Sequence, residues 1–269
     1  MMETLSSGIQ YRHWPVQEAK ACILLIHGLA EHTGRYERLA AYFNARSIAV
    51  VGPDHIGHGA SPGTRAYVTQ FSDYLVPLIE LRDAISGWYP DTPIFTLGHS
   101  MGGLIAAHLL LQDAQSYRGA MLSAPAFSAD EAVSPVTLWL GRLLRAVMPK
   151  IGMMSLEADQ ISRDPAVVAD YIADPLVYNG KITAALGMEL LSAMDDAIAG
   201  AQNITLPIYI AHGEADVMAM PDGSRAFFQA LASQDKTLDW WPDLYHEIFN
   251  EPESEAVMDR FAGWLEAHL

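Results

Sequence analysis

Two hydrophobic rhythms alternate along the first half of the chain. Residues 21–27 (ACILLIH), 47–52 (SIAVVG), 93–97 (PIFTL) and 120–123 (AMLS) are short apolar runs of the kind found in strands buried on both faces. Between them the apolar positions recur at helical spacing: Tyr36, Leu39, Ala40 and Phe43 within residues 35–46, then Leu75, Leu78, Ile79, Ile85 and Trp88 within 71–88. Residues 103–111 are apolar almost throughout and predict a helix that is buried all round. Strands alternating with helices predict an α/β fold, a mostly parallel central sheet with helices on both faces. From about residue 127 to 204 the alternation stops. Helical patterns remain at 135–149, with Val136, Leu140, Leu143, Leu144 and Val147 on one side, and at 183–201, but no strand is predicted. Alternation returns with strands at 207–211 and 237–241 and helices at 222–232 and 252–268. The expected organisation is a core of residues 1–126 and 205–269, interrupted by a helical cap insertion of residues 127–204.

One junction in this pattern carries chemistry. Gly98-His99-Ser100-Met101-Gly102 lies between the predicted strand 93–97 and the helix 103–111. A serine in that setting, with a glycine two residues away on each side, fits a nucleophile elbow: the turn is too sharp for side chains at the glycine positions, and it lifts the hydroxyl clear of the sheet. A serine hydroxyl needs a base near neutral pH, and the base needs a group to orient it. In this architecture the acid and then the histidine follow later strands. Strand 207–211 runs into His212-Gly213-Glu214-Ala215-Asp216, and strand 237–241 runs into Pro242-Asp243-Leu244-Tyr245-His246. Ser100, Asp216 and His246 are therefore the expected catalytic triad, with Glu214 the weaker candidate for the acid. The oxyanion hole is expected from the backbone N–H of Met101, which follows the nucleophile, and of Leu29 in the loop after the first long strand. His27 is expected to order that loop.

Other chemistries find no support. His55 and His58 sit in a Gly-rich turn without a Cys or Glu cluster, so no metal site is predicted. No phosphate-cradling glycine motif points to a nucleotide, and no cofactor is expected. The net charge of −16, from 32 acidic and 16 basic residues, argues against a nucleic-acid partner. The single cysteine, Cys22, lies at the head of an apolar strand and is expected to pack as a small hydrophobe. No run is long and apolar enough to span a membrane and no signal peptide is evident, so a cytoplasmic protein is expected.

The motif strings extend the reading. His27-Gly28-Leu29-Ala30-Glu31-His32-Thr33-Gly34-Arg35-Tyr36 matches the pattern H-G-x-x-E-H-x-x-R-Y, and residues 54–61 (DHIGHGAS) match D-H-x-G-H-G-x-S. With residues 161–165 (ISRDP), 174–178 (DPLVY) and 244–251 (LYHEIFNE), these resemble the monoacylglycerol lipase family of α/β-hydrolases, and its bacterial members most. The resemblance implies the α/β-hydrolase fold, the same triad and oxyanion donors, and a mobile cap lining an apolar channel for one acyl chain. It implies a lipid-like ester substrate, cleaved through an acyl-enzyme to glycerol and fatty acid. Glu31 and Arg35 fall near an implied glycerol-side pocket, or else brace the loop. Phe249 departs from animal members, which carry histidine there. Arg142 and Arg145 offer a transient contact between the cap and an anionic membrane surface, making the enzyme peripheral to the membrane. A lysophospholipase or short-chain esterase is the rival within the enzyme class. A catalytically inactive binding module is the rival outside it. The oligomeric state is not legible in the sequence.

Overall fold

The computed structural model describes residues 2–128 and 135–269. Its centre is an eight-stranded sheet built from β1 (Met2–Thr4), β2 (Gln10–Trp14), β3 (Ala21–Ile26), β4 (Ile48–Pro53), β5 (Ile94–His99), β6 (Gly119–Ser123), β9 (Ile208–Gly213) and β10 (Lys236–Trp241), in the spatial order β1-β2-β4-β3-β5-β6-β9-β10. The six strands from β4 to β10 run parallel; β2 joins β4 antiparallel and β1 joins β2 antiparallel. Two further strands, β7 (Gly152–Ser155) and β8 (Lys181–Thr183), form a separate antiparallel pair.

Every residue of β3 is fully buried, which is why its sequence is continuously apolar and does not alternate. Its side chains divide by parity between two cores. Ile23 and Leu25 pack with α1 (Glu37–Asn44) and α8 (Ser254–Ala267), through Leu39, Phe43, Val257 and Phe261. Cys22, Leu24 and Ile26 face α2 (Leu75–Trp88) and α3 (Met101–Asp113), through Leu78, Leu81, Leu104 and Ile105. Cys22 is a buried free thiol, as its apolar setting predicts. Helix α3 packs between the sheet and α6 (Ala184–Gly200), so it has no polar face to present.

Between β6 and β9 the chain leaves the sheet and carries α4 (Pro135–Val147), α5 (Pro165–Ala173) and α6, with β7 and β8 among them; α7 (Pro221–Ala230) follows β9. The expectation of no strand in this stretch is corrected. β7 reads GMMS and all four of its residues are exposed, so neither alternation nor a buried apolar run marks it. The side chain of Val136, placed by periodicity on the apolar side of α4, lies outside the described residues. Among the described residues no helix is long and apolar enough to cross a membrane.

Candidate active site

Ser100 sits at the junction of β5 and α3 with φ 53° and ψ −121°, a left-handed backbone that L-residues rarely adopt. The strain is fixed by hydrogen bonds on both sides: its N–H donates to Ser123 O at 3.0 Å, and its carbonyl accepts from Gly103 N at 2.9 Å and Ala126 N at 3.1 Å. The flanking glycines are obligatory. A Cβ on Gly98 would lie 2.4 Å from Gly102 O, and one on Gly102 would lie 2.0 Å from Ile26 O, well inside contact distance.

Asp216 and His246, singled out after later strands, are brought together beside this serine. His246 Nε2 lies 2.8 Å from Ser100 Oγ, and His246 Nδ1 lies 2.7 Å from Asp216 Oδ2. In the neutral imidazole both contacts are satisfied with Nδ1–H donating to the carboxylate and Nε2 accepting the serine O–H. Asp216 is nearly fully buried, and its Oδ1 accepts the Met218 and Ala219 N–H groups at 2.8 and 3.1 Å. Burial works against the Asp216 charge, but His246 and a hydrogen bond from His212 outweigh it and hold the carboxyl well below the usual range. His246 shows the mirror effect: burial disfavours the imidazolium, yet the facing Asp216 carboxylate raises its pKa above the ordinary value. Glu214 does not contact His246; Asp216 does.

His212 is a partner that the sequence reading passed over. It is fully buried, with Nε2 3.0 Å from Asp216 Oδ2 and 2.8 Å from Ala219 O, while Nδ1 lies 2.7 Å from Ser224 Oγ. Two acceptors at Nε2 place a proton there, so His212 donates toward Asp216. The His-x-x-x-Asp spacing was visible, but nothing in it distinguishes a buried partner from a strand-end residue.

The loop after β3 lies against Ser100. A Cβ on Gly28 would lie 2.9 Å from Glu31 Oε1 and 3.3 Å from Ser100 Cβ, so a side chain there would crowd both. Leu29 follows it, and among the described residues no acceptor stands in hydrogen-bonding geometry to the Leu29 N–H. Met101 is the first residue of α3, so its N–H has no intrahelical acceptor either. His27 orders the loop as expected: its Nδ1 lies 2.7 Å from Gly28 O and its Nε2 accepts the His55 N–H at 2.9 Å. Glu31 and Arg35 lie in a buried ion cluster. Glu31 Oε1 accepts from Gly28 N at 2.6 Å and from the Tyr36 hydroxyl at 2.7 Å, and Oε2 accepts from Arg35 at 2.9 Å. The Arg35 guanidinium also makes a bidentate pair with Glu247, at 2.5 and 2.7 Å.

The fold recurs in known proteins. The family model described as serine aminopeptidase, S33, matches residues 17–253. A monoacylglycerol lipase of Mycolicibacterium smegmatis is 37% identical over 262 residues, 97% of this chain and 94% of that one. The chain belongs to the monoacylglycerol lipase family of α/β-hydrolases. It is a serine ester hydrolase. The mouse monoglyceride lipase is 33% identical over 94% of this chain and 85% of its own. The crystal structure of a monoacylglycerol lipase from Paleococcus ferrophilus superposes with a TM-score of 0.89 at 29% identity, covering 97% of this chain and 99% of that one.

In this member of the monoacylglycerol lipase family residues 27–36 and 54–61 form one buttress. Asp54 takes the Thr33 N–H and hydroxyl on Oδ1, at 2.9 and 2.5 Å, and the Ala60 N–H on Oδ2. Ser61 donates to Asp54 O and accepts from Gln10 N, closing the turn onto the sheet edge. His55 packs at a tilt of 43° against His27 with ring centroids 4.1 Å apart, and its Nε2 lies 3.1 Å from His27 O. The histidines of the turn thus pack behind the Leu29 loop.

Proposed function

We propose that the protein hydrolyses monoacylglycerols to glycerol and free fatty acid, with Ser100 as nucleophile, His246 as general base and acid, and Asp216 as the group that orients it. The relay carries the chemistry. The substrate class is carried by one observation, the 37% identity across nearly the whole chain to a bacterial protein named monoacylglycerol lipase.

The steps follow from the donor and acceptor roles. His246 Nε2 takes the Ser100 proton as Oγ attacks the ester carbonyl. The developing oxyanion accepts from the Leu29 and Met101 N–H groups. The imidazolium is stabilised by Asp216 and returns its proton to the departing glycerol oxygen, leaving Ser100 acylated. A water molecule, deprotonated by the same nitrogen, then attacks the acyl-enzyme; the fatty acid leaves and Ser100 recovers its proton.

Residues 127–204 form the cap over this site in our reading, on a core of 1–126 and 205–269. Within it, α4 and the segment after it support a peripheral contact with lipid. Leu140, Leu143, Val147, Met148 and Met154 are exposed there. Residues 135–156 contain Arg142, Arg145 and Lys150 and no acidic residue, in a chain of net charge −16. An apolar surface rimmed by cations in an otherwise acidic protein fits an anionic interface.

A panel of monoacylglycerols, lysophospholipids and p-nitrophenyl esters of graded length tests the reading. Monoacylglycerols are expected to give the highest kcat/KM, and a preference for lysophospholipids would overturn the substrate assignment. Activity is expected to rise with pH through the His246 pKa, with the midpoint above the ordinary imidazole value of about 6.5 because Asp216 raises it. A pH-independent rate across that range would remove His246 from the base role.

A further inference from the structure

The cluster of Glu31, Arg35 and Glu247 connects the two halves of the catalytic apparatus. At one end Glu31 accepts the Gly28 N–H at 2.6 Å, on the loop that presents the Leu29 amide. At the other end Glu247 is the residue directly after His246. Arg35 bridges them, with one nitrogen shared between Glu31 and Glu247 and the second nitrogen on Glu247. All three side chains are at most 10% exposed. The ends are themselves held. Tyr36 donates its hydroxyl to Glu31, Asn250 donates its amide to Glu247 at 2.8 Å, and the Glu247 N–H donates to Ile161 O at 2.8 Å. The ring of Tyr171 covers the guanidinium, with its centroid 4.6 Å from Cζ.

Three charges removed from water are expensive to maintain, and an apolar trio of the same volume would stabilise the fold as well or better. What the apolar trio could not do is fix the relative placement of two loops by bidentate geometry. We propose that Arg35 and Glu247 are positioning residues for the ester hydrolysis, tying the oxyanion loop at Gly28 to the loop of His246 so that the base and the oxyanion donors keep one relative geometry. This rests on the assignment of Ser100 and His246 made above. It gives Arg35 and Glu31 their role through the protein groups they already hold, not through the leaving glycerol.

The cluster also has an electrostatic signature. Burial works against the Glu247 charge, but Arg35 outweighs it and holds that carboxyl below the usual range, which places a negative charge beside His246; burial pushes the Glu31 carboxyl the other way. The other groups facing His246 are Asp216 on the loop after β9, Ser100 at the elbow, and His99 from β5, whose ring centroid is 4.8 Å away. Burial, and then the proximity of His246, push His99 down to about 3, so it stays neutral while His246 titrates. Removing the Glu247 charge should therefore make the His246 imidazolium harder to form.

The test is Glu247→Gln, which keeps the shape and one acceptor for Arg35, assayed on a short p-nitrophenyl ester and on a monoacylglycerol. A fall in kcat of roughly 10-fold or more on both substrates is expected, with KM changed by less than about twofold. The acid limb of the pH profile should move down by roughly half a unit. Arg35→Met should lose at least as much kcat, and Arg35→Lys should recover part of it, because charge returns without the bidentate fork. Circular dichroism and thermal melts report whether each variant is folded. A folded Glu247→Gln enzyme with unchanged kcat and pH profile would overturn the proposal. So would a rise in KM for the monoacylglycerol alone, which would put Arg35 and Glu31 on the glycerol. If Glu247→Gln does not fold, the Arg35→Lys enzyme decides: wild-type kcat there counts against positioning, and a loss at constant KM supports it. Failure of the underlying reading is distinguishable, because Ser100→Ala would then retain ester hydrolysis.

Discussion

Residues 158–178 and residues 140–156 belong to the same excursion of the chain between β6 and β9, and they are held in opposite ways. The first segment is fastened to the catalytic loops. Arg163 pairs with Glu251, whose other oxygen takes the Tyr245 N–H next to His246. Ser162 donates to Asn250 O, Tyr178 N–H donates to Ala30 O, and Asp174 lies 2.9 Å from His32 Nε2 on the Leu29 loop. Ile161, Tyr171 and Val177 add a small buried core of their own. Among the described residues no hydrogen bond or ion pair joins the second segment to these loops. It rides on α6, through the ion pair of Arg145 with Glu189 and the pairing of β7 with β8, and turns much of its apolar surface outward, with Val147 70% and Met154 62% exposed. The pinned segment can shape the site but has little freedom to open it. The outward segment can change its surroundings without disturbing the relay.

The largest effect expected from breaking this contrast is at Glu251. Its side chain is fully buried, and Glu251→Ala strands the Tyr245 and Arg163 backbone N–H groups and leaves the Arg163 guanidinium with Glu253 alone. A loss of about 2–4 kcal/mol in unfolding free energy is expected, with a fall in kcat, read by chemical denaturation and steady-state kinetics. A change confined to the outward segment should look quite different. Leu140→Ser with Leu143→Ser should leave kcat/KM on a soluble short-chain ester within about twofold. The same variant should bind vesicles containing anionic lipid several-fold more weakly, because apolar area inserts into the interface. Equal losses on soluble and dispersed substrates would show that the two segments are not separable in this way. The smallest effect is expected for Arg142→Ala with Arg145→Ala. The Arg145 pair is partly exposed and contributes under about 1 kcal/mol to stability, so the readout is vesicle binding and its salt dependence. Unchanged vesicle binding would remove both arginines from the lipid contact.

How far the sequence reaches follows the same division. Elements buried on both faces, such as β3 and α3, are legible because burial forces a continuous apolar run, and the elbow is legible because sterics demand glycine at 98 and 102. Asp216 and His246 are legible because each follows a strand in the order this architecture uses. β7 escapes because an exposed pair of methionines carries no period. β2 escapes too, since a strand with Tyr11 and Trp14 buried and Arg12 and His13 half-buried does not alternate cleanly. Among site residues, His212 and Glu247 are the ones missed. Their roles depend on partners 4 and 212 positions away, brought together only by tertiary packing. Glu31 and Arg35 were visible as part of a string, but whether they face a ligand or each other is decided by Glu247, which the string does not include. The outward surface of α4 lies between these cases: periodicity marks its apolar side but not whether protein covers it.

The account depends most on Ser100 acting as nucleophile under control of His246. Intact-protein mass spectrometry after exposure to a fluorophosphonate probe measures this directly. One adduct per chain is expected, carried by the peptide containing Ser100, absent from Ser100→Ala and formed much more slowly in His246→Ala. An adduct on Ser100→Ala at the wild-type rate, or on a peptide lacking Ser100 in the wild type, would contradict it.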